Sequence, residues 1–499
     1  MQRFGLVREL VDPDVHARTV GRFREARIAL PTFAQLTDPG LIPRGVREAL
    51  AGIDPDAAHP LNLFRIHWFN DHRRTGLAAV PQHIVLPPSL TGVESPIVVA
   101  LGDRFPLIRA HKVLAAYGCL APQLATGRFD PTRQRAIWPS TGNYCRGGVA
   151  ISRLMGCRGV AVLPEGMSRE RFEWLEAWVT DRSDIVRTPG SESNVKEIYD
   201  ECARLSADPD NVVFNQFSEF ANHLIHYYAT GAALERVFRA MADMNPRLRL
   251  CAFTAATGSA GTIAAGDYLK ERFGSKVVAV EALECATMLY NGFGEHHIQG
   301  IGDRHVPLIH NIMNVDLVVA VSDRATDRLD LLFNTAEGLA YLARRRGVDT
   351  SLLEALSSLG LSSLCNVLAA IKAAKYFGCG PDDAVVAVAT DGAAMYTSER
   401  ALTLAEYFPR GFDEVAAGEV FGEHILGATT DHLLEPTLIE RERIFNLGYF
   451  TWVEQQGVSV DDFCARKKPE FWTAMREIVP VWDGMIDELN ARTGVLDQL

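Results

Sequence analysis

Between about residue 80 and residue 400, the chain alternates short, almost continuous apolar runs with segments of helical periodicity. The apolar runs are rich in β-branched residues, as in PIVVALG, GVAVLP and AVVAVATDG. The segments between them, such as SRERFEWLEAWV and VLAAIKAAKYFG, have helical character. Apolar strands separated by helices are typical of parallel sheets covered on both faces. The pattern therefore predicts an α/β fold, in which ligands usually bind in the loops at the carboxyl ends of the strands.

The two ends of the chain have a different texture. Residues 1–75 mix short amphipathic stretches with breaks rich in proline and aspartate, and after residue 404 the alternation gives way to amphipathic helices. A chain of 499 residues is too long for a single core. We therefore predict an N-terminal extension (1–75), a core (76–404) and a mainly helical C-terminal extension (405–499).

Composition excludes several classes of function. The formal net charge of −12 at pH 7 argues against a nucleic-acid-binding protein. Nine cysteines are scattered without a CxxC pair, so neither a disulfide framework nor a zinc cluster is indicated. His424, Asp431 and His432 lie close together in the sequence but lack the spacing of metal ligands. We expect no metal site.

The sequence also bears on location. The N-terminus has no apolar signal segment, and no run of about 18 apolar residues occurs. Scattered, unpaired cysteines fit thiols that stay reduced. These features predict a cytoplasmic protein that does not bind membranes.

Two polar loops interrupt the strand–helix pattern. PSTGNYCRGG spans 139–148 between two strand-like runs, and TAATGSAGTIAAG spans 254–266 between a strand and a helix. Such small residues and hydroxyls either cap the following helix or let backbone amides wrap an anionic ligand. Neither loop has the glycine pattern of a dinucleotide fold or of a Walker phosphate loop, so neither a dinucleotide nor ATP is favoured.

Six segments, in order along residues 80–400, carry a resemblance to a known family. They are PSTGNYCRGG, VAVLPEGMSRERFEWLEAW with DIVRTPG, NQFSEFANHLIHYYATGAAL, GSAGT, HHIQGIG and GLSSL. Together they resemble the fold-type II pyridoxal-phosphate (PLP) enzymes, a group within the tryptophan synthase β superfamily. The most similar branch is that of cysteine synthase and cystathionine β-synthase. The resemblance implies two parallel-sheet α/β subdomains, the small one at about 113–230 and the large one in the rest of the core.

The resemblance also implies PLP as the cofactor. PLP chemistry requires a lysine amine that forms an imine with the cofactor aldehyde and moves the α-proton of the substrate. The resemblance places that lysine at Lys112, which lies at a strand-to-helix junction 31 residues before Asn143. The apolar segment VLAAYGCL after it would desolvate the amine and lower its pKa. The other cofactor contacts implied by the resemblance are Asn143 at the 3′-oxygen and Gly258, Ser259, Ala260, Gly261 and Thr262 at the phosphate.

The same resemblance suggests where a substrate binds. Ser140, Thr141 and Gly142 are expected to hold its α-carboxylate, and Gln216 lies in another matched segment. Tyr144 replaces a threonine of the family, so its larger ring either points away or fills part of the substrate pocket. Cys145 replaces a glycine, and we interpret it as a small filler rather than a nucleophile.

Two further departures concern the cofactor. Ala110 replaces a serine that precedes the family's lysine, and His111 is either its substitute or a packing residue. A family serine that meets the pyridine nitrogen corresponds to Gly392. Thr390 is the preferred replacement, whereas Asp391 would keep the ring protonated and suit other chemistry.

The resemblance implies an enzyme that acts on the β-carbon of a small L-amino acid. It would catalyse β-elimination or β-replacement through an aminoacrylate intermediate, as a homodimer. The first alternative is dehydratase, racemase or deaminase chemistry in the same fold. The second is a PLP-binding protein without catalysis, because the changes at Ala110 and Gly392 would suit a degenerate site. The amino acid, the leaving group and the nucleophile stay open.

Overall fold

The computed structural model describes residues 4–302 and 304–499. Two sheets organise this part of the chain. In chain order the strands are β1 (His83–Leu86), β2 (Ile97–Leu101), β3 (Arg135–Pro139), β4 (Arg158–Pro164), β5 (Ile185–Thr188), β6 (Asn211–Val213), β7 (Arg249–Ala256), β8 (Lys276–Ala282), β9 (Leu317–Val321), β10 (Asp383–Ala389) and β11 (Leu433–Leu434).

The larger sheet has seven strands in the order β1-β2-β10-β7-β8-β9-β11. Its five inner strands run parallel, and the edge strands β1 and β11 pair antiparallel. Every residue of β2 and β9 is buried. Burial on both faces explains why these strands read as continuous apolar runs instead of alternating patterns.

The smaller sheet has four parallel strands in the order β5-β4-β3-β6. It spans residues 135–213 and so lies inside the segment 113–230 assigned to the small subdomain. The two parallel sheets confirm the predicted α/β fold class. The domain boundaries themselves stay a prediction.

Helices cover both sheets. Those before β2 are α1 (Pro13–Ala26), α2 (Phe33–Thr37), α3 (Arg44–Leu50) and α4 (Pro88–Thr91). Those between β2 and β10 are α5 (Lys112–Ala125), α6 (Asn143–Leu154), α7 (Arg169–Trp178), α8 (Val195–Leu205), α9 (Phe220–Ile225), α10 (Gly231–Met244), α11 (Ala264–Phe273), α12 (Thr287–Tyr290), α13 (Asp323–Asn334), α14 (Ala336–Arg346), α15 (Thr350–Ala355) and α16 (Leu361–Phe377). Those after β10 are α17 (Thr397–Tyr407), α18 (Glu414–Phe421), α19 (Leu438–Leu447), α20 (Val460–Ala465), α21 (Pro469–Arg476) and α22 (Val479–Thr493).

The two ends of the chain pack against each other. The buried Asn490 amide of α22 accepts from Leu30 N (2.9 Å) and donates to Leu30 O (2.8 Å). The Asp483 carboxylate accepts from the backbone amides of Phe33 and Ala34, at the first turn of α2. Trp482 Nε1 donates to Val7 O at 2.9 Å. The predicted N- and C-terminal extensions therefore share one packed layer.

Residues 4–302 and 304–499 contain neither a single helix that could span a membrane nor a cluster of metal-ligating side chains. No single helix within 4–302 and 304–499 is both long and apolar enough to cross a bilayer, and one sharply bent pair, 350–358 with 361–377, meets that test only in combination. No group of three or more histidine, cysteine, aspartate or glutamate side chains in these ranges is arranged to hold a metal ion.

Candidate functional site

Lys112 is the first residue of α5, directly after the loop that follows β2. The following residues from Val113 to Pro122 are all buried. Lys112, at the start of the helix, lines a cavity. Lys112 Nζ donates to Ser259 Oγ at 2.9 Å and to Gln216 Oε1 at 3.3 Å. Three distant segments therefore meet at one amine.

The loop 258–262 links the end of β7 to α11 and forms a tight turn. A Cβ atom at Gly261 would lie 2.2 Å from Asn222 Oδ1, so only glycine fits there. Ala260 has a φ of +60°, in the left-handed region that few alanines adopt. Asn222 Nδ2 donates to Gln216 O (3.0 Å) and Ser259 Oγ (3.1 Å) and so ties this loop to the neighbouring segment.

The residues predicted for the site gather around two adjoining cavities that share Lys112, Gly258, Ser259 and Thr390. One cavity is lined by the predicted substrate-binding residues Ser140, Thr141, Tyr144 and Gln216 together with Asn143. The other is lined by Ala260, Gly261 and Thr262, the rest of the predicted phosphate loop.

Gly142 is the one predicted site residue that does not line these cavities. Its φ is +154°, and a Cβ there would lie 2.6 Å from the Arg171 side chain. Its amide donates to Ser140 Oγ at 3.1 Å. The structure thus accounts for this glycine by the close approach of Arg171.

Asn143 begins α6 and belongs to a buried polar network. Its Nδ2 donates to Asp391 Oδ2 at 2.7 Å, and its Oδ1 accepts from Arg146 Nη1 at 3.0 Å. The Tyr396 hydroxyl donates to the same Asp391 oxygen at 2.8 Å. Asp391 therefore faces Asn143 and Tyr396, whereas Thr390 lines both cavities.

His111 is buried beside Lys112 and contacts the phosphate loop. Its Nε2 lies 2.9 Å from Thr262 Oγ1, and its ring stacks on Trp68 with centroids 5.4 Å apart. Burial, followed by the charge of Lys112, lowers the pKa of His111 to about 3, so the ring is neutral at physiological pH. The sequence left open whether His111 substitutes for the family's serine or is a packing residue. In the structure its ring packs on Trp68 and also contacts Thr262.

Tyr144 is buried in the wall of the cavity that contains Lys112. Its ring packs edge-on against Trp138, with centroids 5.3 Å apart. Its buried hydroxyl lies beside the thiol of Cys119, a weak hydrogen-bonding group, and has no nitrogen or oxygen partner in the part of the chain that the structure describes. Burial, followed by the neighbouring Cys119, raises the pKa of this phenol well above its ordinary value.

The comparison with family models decides the family of this chain. Residues 91–391, more than half of the chain, match the family described as "Pyridoxal-phosphate dependent enzyme". The chain belongs to the pyridoxal-phosphate-dependent enzymes. The predicted family and its predicted cofactor, PLP, are thereby confirmed.

Individual relatives of this PLP enzyme agree with the family match. Cystathionine beta-synthase of Saccharomyces cerevisiae is 28% identical over 221 residues, which are 40% of this chain and 40% of that enzyme. Cysteine synthase B of Campylobacter jejuni is 29% identical over 257 residues, 50% of this chain and 75% of that one. Among solved structures, O-acetyl serine sulfhydrylase isoform 3 from Entamoeba histolytica is 22% identical with a TM-score of 0.52, covering 69% of this chain and 93% of that one.

The residues of the cavity fit PLP. Lys112 supplies an amine, and the crowded loop 258–262 leads into the N-terminus of α11, where backbone amides favour an anion. The Asn143 amide has two hydrogens, of which Asp391 takes one. The other remains for an oxygen of the cofactor.

Sequence reasoning missed two charged residues of the site. Glu192 lines the cavity with Lys112 although its segment, TPGSES, resembles an ordinary turn. Arg171 lies in a matched family segment but was assigned no role, and it donates to Tyr396 Oη (3.0 Å) and Thr141 O (3.2 Å). The signals for Arg171 were its place in that matched segment and the position of a charged residue on the buried side of α7.

Proposed function

We propose that this PLP enzyme catalyses β-elimination or β-replacement on a small L-amino acid. The similarity to cysteine synthases and to a cystathionine beta-synthase supports this reaction class. One observation of the structure carries the proposal. Lys112 Nζ, held by Ser259 and Gln216, reaches the cavity that Ser140 and Thr141 also line.

The roles of the residues follow from their positions. Lys112 would hold the cofactor by its aldehyde carbon, the loop 258–262 its phosphate, and Asn143 its 3′-oxygen. Bound PLP withdraws electrons from the substrate's α-carbon. Lys112 Nζ is then the group that accepts the proton from that carbon. Ser140 and Thr141 would orient the α-carboxylate, so that the bond to the β-substituent can break.

The proposal is tested by spectral titration of the purified holoenzyme with a panel of L-amino acids, with product analysis. We expect a cofactor absorbance band that shifts with a β-substituted amino acid, followed by release of the β-substituent. Lys112→Ala should lose the cofactor band of the wild type and all turnover while remaining folded. Lys276→Ala, at an exposed position at the start of β8, is the matched control.

Other outcomes would contradict the proposal. Inversion at the α-carbon without loss of a β-substituent would favour racemase chemistry. A cofactor band that no amino acid shifts would favour the non-catalytic alternative. Turnover that survives in Lys112→Ala would remove this lysine from the mechanism.

We also propose a cytoplasmic homodimer, as the family resemblance suggests and as cysteines without disulfide bonds in the described residues support. Light scattering of the purified holoenzyme should give about twice the chain mass of 54.9 kDa. A monomer mass would contradict this part of the proposal.

A further inference from the structure

Glu192 is a buried carboxyl group in the wall of the candidate active site. It follows β5, and its relative exposure is only 2%. It lines the same cavity as Lys112, Ser140 and Thr141. None of the roles assigned above uses it.

The two oxygens of Glu192 are in different situations. Oε1 accepts from the Thr141 hydroxyl and from Gly300 N at 2.9 Å, so the side chain is anchored to both walls of the cavity. Oε2 has no hydrogen-bond partner within the described ranges 4–302 and 304–499. A buried polar atom of this kind is costly unless a ligand or a proton satisfies it.

Charged groups surround Glu192 on several sides. Arg171 Nη1 of α7 lies 4.0 Å from Oε2, and Asp391 after β10 repels the carboxylate. Lys112 at the start of α5 lines the same cavity. Burial is the largest influence and raises the pKa of Glu192 to about 7. A large share of the molecules therefore carries a proton on this group at neutral pH.

Resting on the proposed function, we propose that Glu192 donates the proton with which the substrate's leaving group departs. Oε2 is the oxygen that is left for this role, because Oε1 is held by Thr141 and Gly300 whereas Oε2 has no hydrogen-bond partner in the described residues. Thr141 also connects Glu192 to the side of the cavity where the α-carboxylate is expected.

With a hydroxyl leaving group, Lys112 Nζ takes the proton from Cα, and the electron pair of that bond forms a double bond between Cα and Cβ. The Cβ–O bond breaks, and its electron pair stays on the oxygen. That oxygen takes the proton from Glu192 Oε2 and leaves as water, so Glu192 becomes a carboxylate that solvent reprotonates.

The role of Glu192 selects among substrates. A hydroxyl is a poor leaving group and needs a proton donor, whereas an ester leaves as a stable carboxylate and does not. We therefore infer that the enzyme is built for β-substituents that require protonation. L-Serine and O-acetyl-L-serine share the same α-carbon and differ in this property, so they form the diagnostic pair.

The test compares kcat/KM of the holoenzyme for both substrates in Glu192→Gln and the wild type. Glutamine is nearly isosteric, and its Oε1 can keep the bonds to Thr141 and Gly300. We expect kcat/KM for L-serine to fall about 100-fold or more, as general acids contribute about 100- to 10,000-fold. For O-acetyl-L-serine it should change by less than about threefold, within the small effect of a replaced neutral contact. Glu192→Asp should restore part of the activity with L-serine.

Glu165→Gln is the matched control, because Glu165 is exposed in the turn after β4. It should leave both substrates unchanged. Equal losses for the two substrates in Glu192→Gln, or no loss with L-serine, would overturn the role of Glu192. If the wild type converts neither substrate nor any other β-substituted amino acid, the proposed function fails instead.

A second measurement needs no turnover. Between pH 5.5 and 9, infrared difference spectra of the holoenzyme record the carboxylic acids that lose their protons, and burial brings Glu219, Glu281 and Asp327 into this window together with Glu192. Subtracting the spectra of Glu192→Gln from those of the wild type should isolate one such band with a midpoint near pH 7, and the same subtraction with Glu165→Gln should not contain it. No band in the subtraction with Glu192→Gln would show that Glu192 carries no proton to donate.

Discussion

At the scale of single residues, the site depends on buried side chains whose polar atoms each have a specific hydrogen-bond partner. Asn143 uses its oxygen for Arg146 and one amide hydrogen for Asp391. Arg146 itself is 1% exposed, so its guanidinium needs these partners. Such a network fixes the orientation of Asn143 before any ligand binds, because each member has few alternative partners.

Tyr144 is the exception to this matching, and we predict that its hydroxyl is dispensable for folding. The ring packs on Trp138, whereas the buried hydroxyl lies beside the thiol of Cys119, which is a weak hydrogen-bonding group. Tyr144→Phe should therefore raise the free energy of unfolding or leave it within about 1 kcal/mol of the wild type. Tyr144→Thr should lower it by about 3 kcal/mol, since a large buried ring is lost. Denaturant titration measures both.

Activity assays on the same variants separate the two sequence interpretations of Tyr144. If Tyr144→Phe folds normally but turns over substrate slowly, the phenol has a chemical role in the pocket. Unchanged turnover would leave only the bulk of the ring as relevant. A large loss of stability in Tyr144→Phe would show that the hydroxyl is needed for folding.

At the scale of elements, α13 presents an acidic face to α17. Asp323, Asp327 and Asp330 lie three or four residues apart and therefore on one side of the helix. Arg400 of α17 bonds Asp330 through two nitrogens, at 2.8 and 3.1 Å. Burial, followed by repulsion from Asp323 and Asp330, raises the pKa of Asp327 to about 8. Arg400 therefore stabilises this face at Asp330, whereas repulsion between carboxyl groups destabilises it at Asp327.

We predict that Asp327→Asn stabilises the protein at alkaline pH. In the unfolded chain Asp327 ionises near pH 3.8, and in the folded chain near pH 8. Stability is therefore lost as pH rises through this window, and an amide abolishes the loss. At pH 8 the free energy of unfolding should rise by more than about 1 kcal/mol, while at pH 4 it should hardly change.

Urea unfolding at both pH values measures this effect. Glu337→Gln, at an exposed position in the first turn of α14, is the control and should have no pH-dependent effect. An equal shift at pH 4 and pH 8 would contradict an electrostatic origin.

At the scale of the whole molecule, the N-terminal and C-terminal segments pack against each other. Residues near both ends form one layer against the helix α5, which begins with Lys112. The hydroxyl of Tyr117, on α5, donates to Pro31 O. The layer of the two ends thus supports the helix that positions the site amine.

We predict that Asn490→Ala destabilises the whole protein. The amide of Asn490 satisfies both backbone groups of Leu30, which is fully buried. Leaving two buried backbone groups without partners should lower the free energy of unfolding by about 2–4 kcal/mol. Asn446→Ala, at an exposed position of α19, should change it by less than about 0.5 kcal/mol. Equal effects of the two variants in denaturant titration would argue against a stabilising contact between Asn490 and Leu30.

The sequence by itself determined the fold class and most of the wall of the site. Buried parallel strands must be apolar throughout, and a loop crowded against Asn222 must consist of small residues, so both leave a local signature. The family resemblance of their segments also predicted that Lys112, the loop 258–262 and Thr390 lie close together. The structure places them around shared cavities.

Only the tertiary structure decided which distant groups face each other. Glu192 lies in a segment that resembles an ordinary turn, and the matched segment of Arg171 gave it no role. Their importance comes from burial against Thr141, Gly300 and Tyr396. Likewise, nothing near Asn490 indicates that it pairs with Leu30. Local periodicity encodes which residues are buried, but the partner of a buried polar atom depends on how whole elements pack. The charge state of Glu192, and with it the chemistry proposed for this enzyme, is set by that packing.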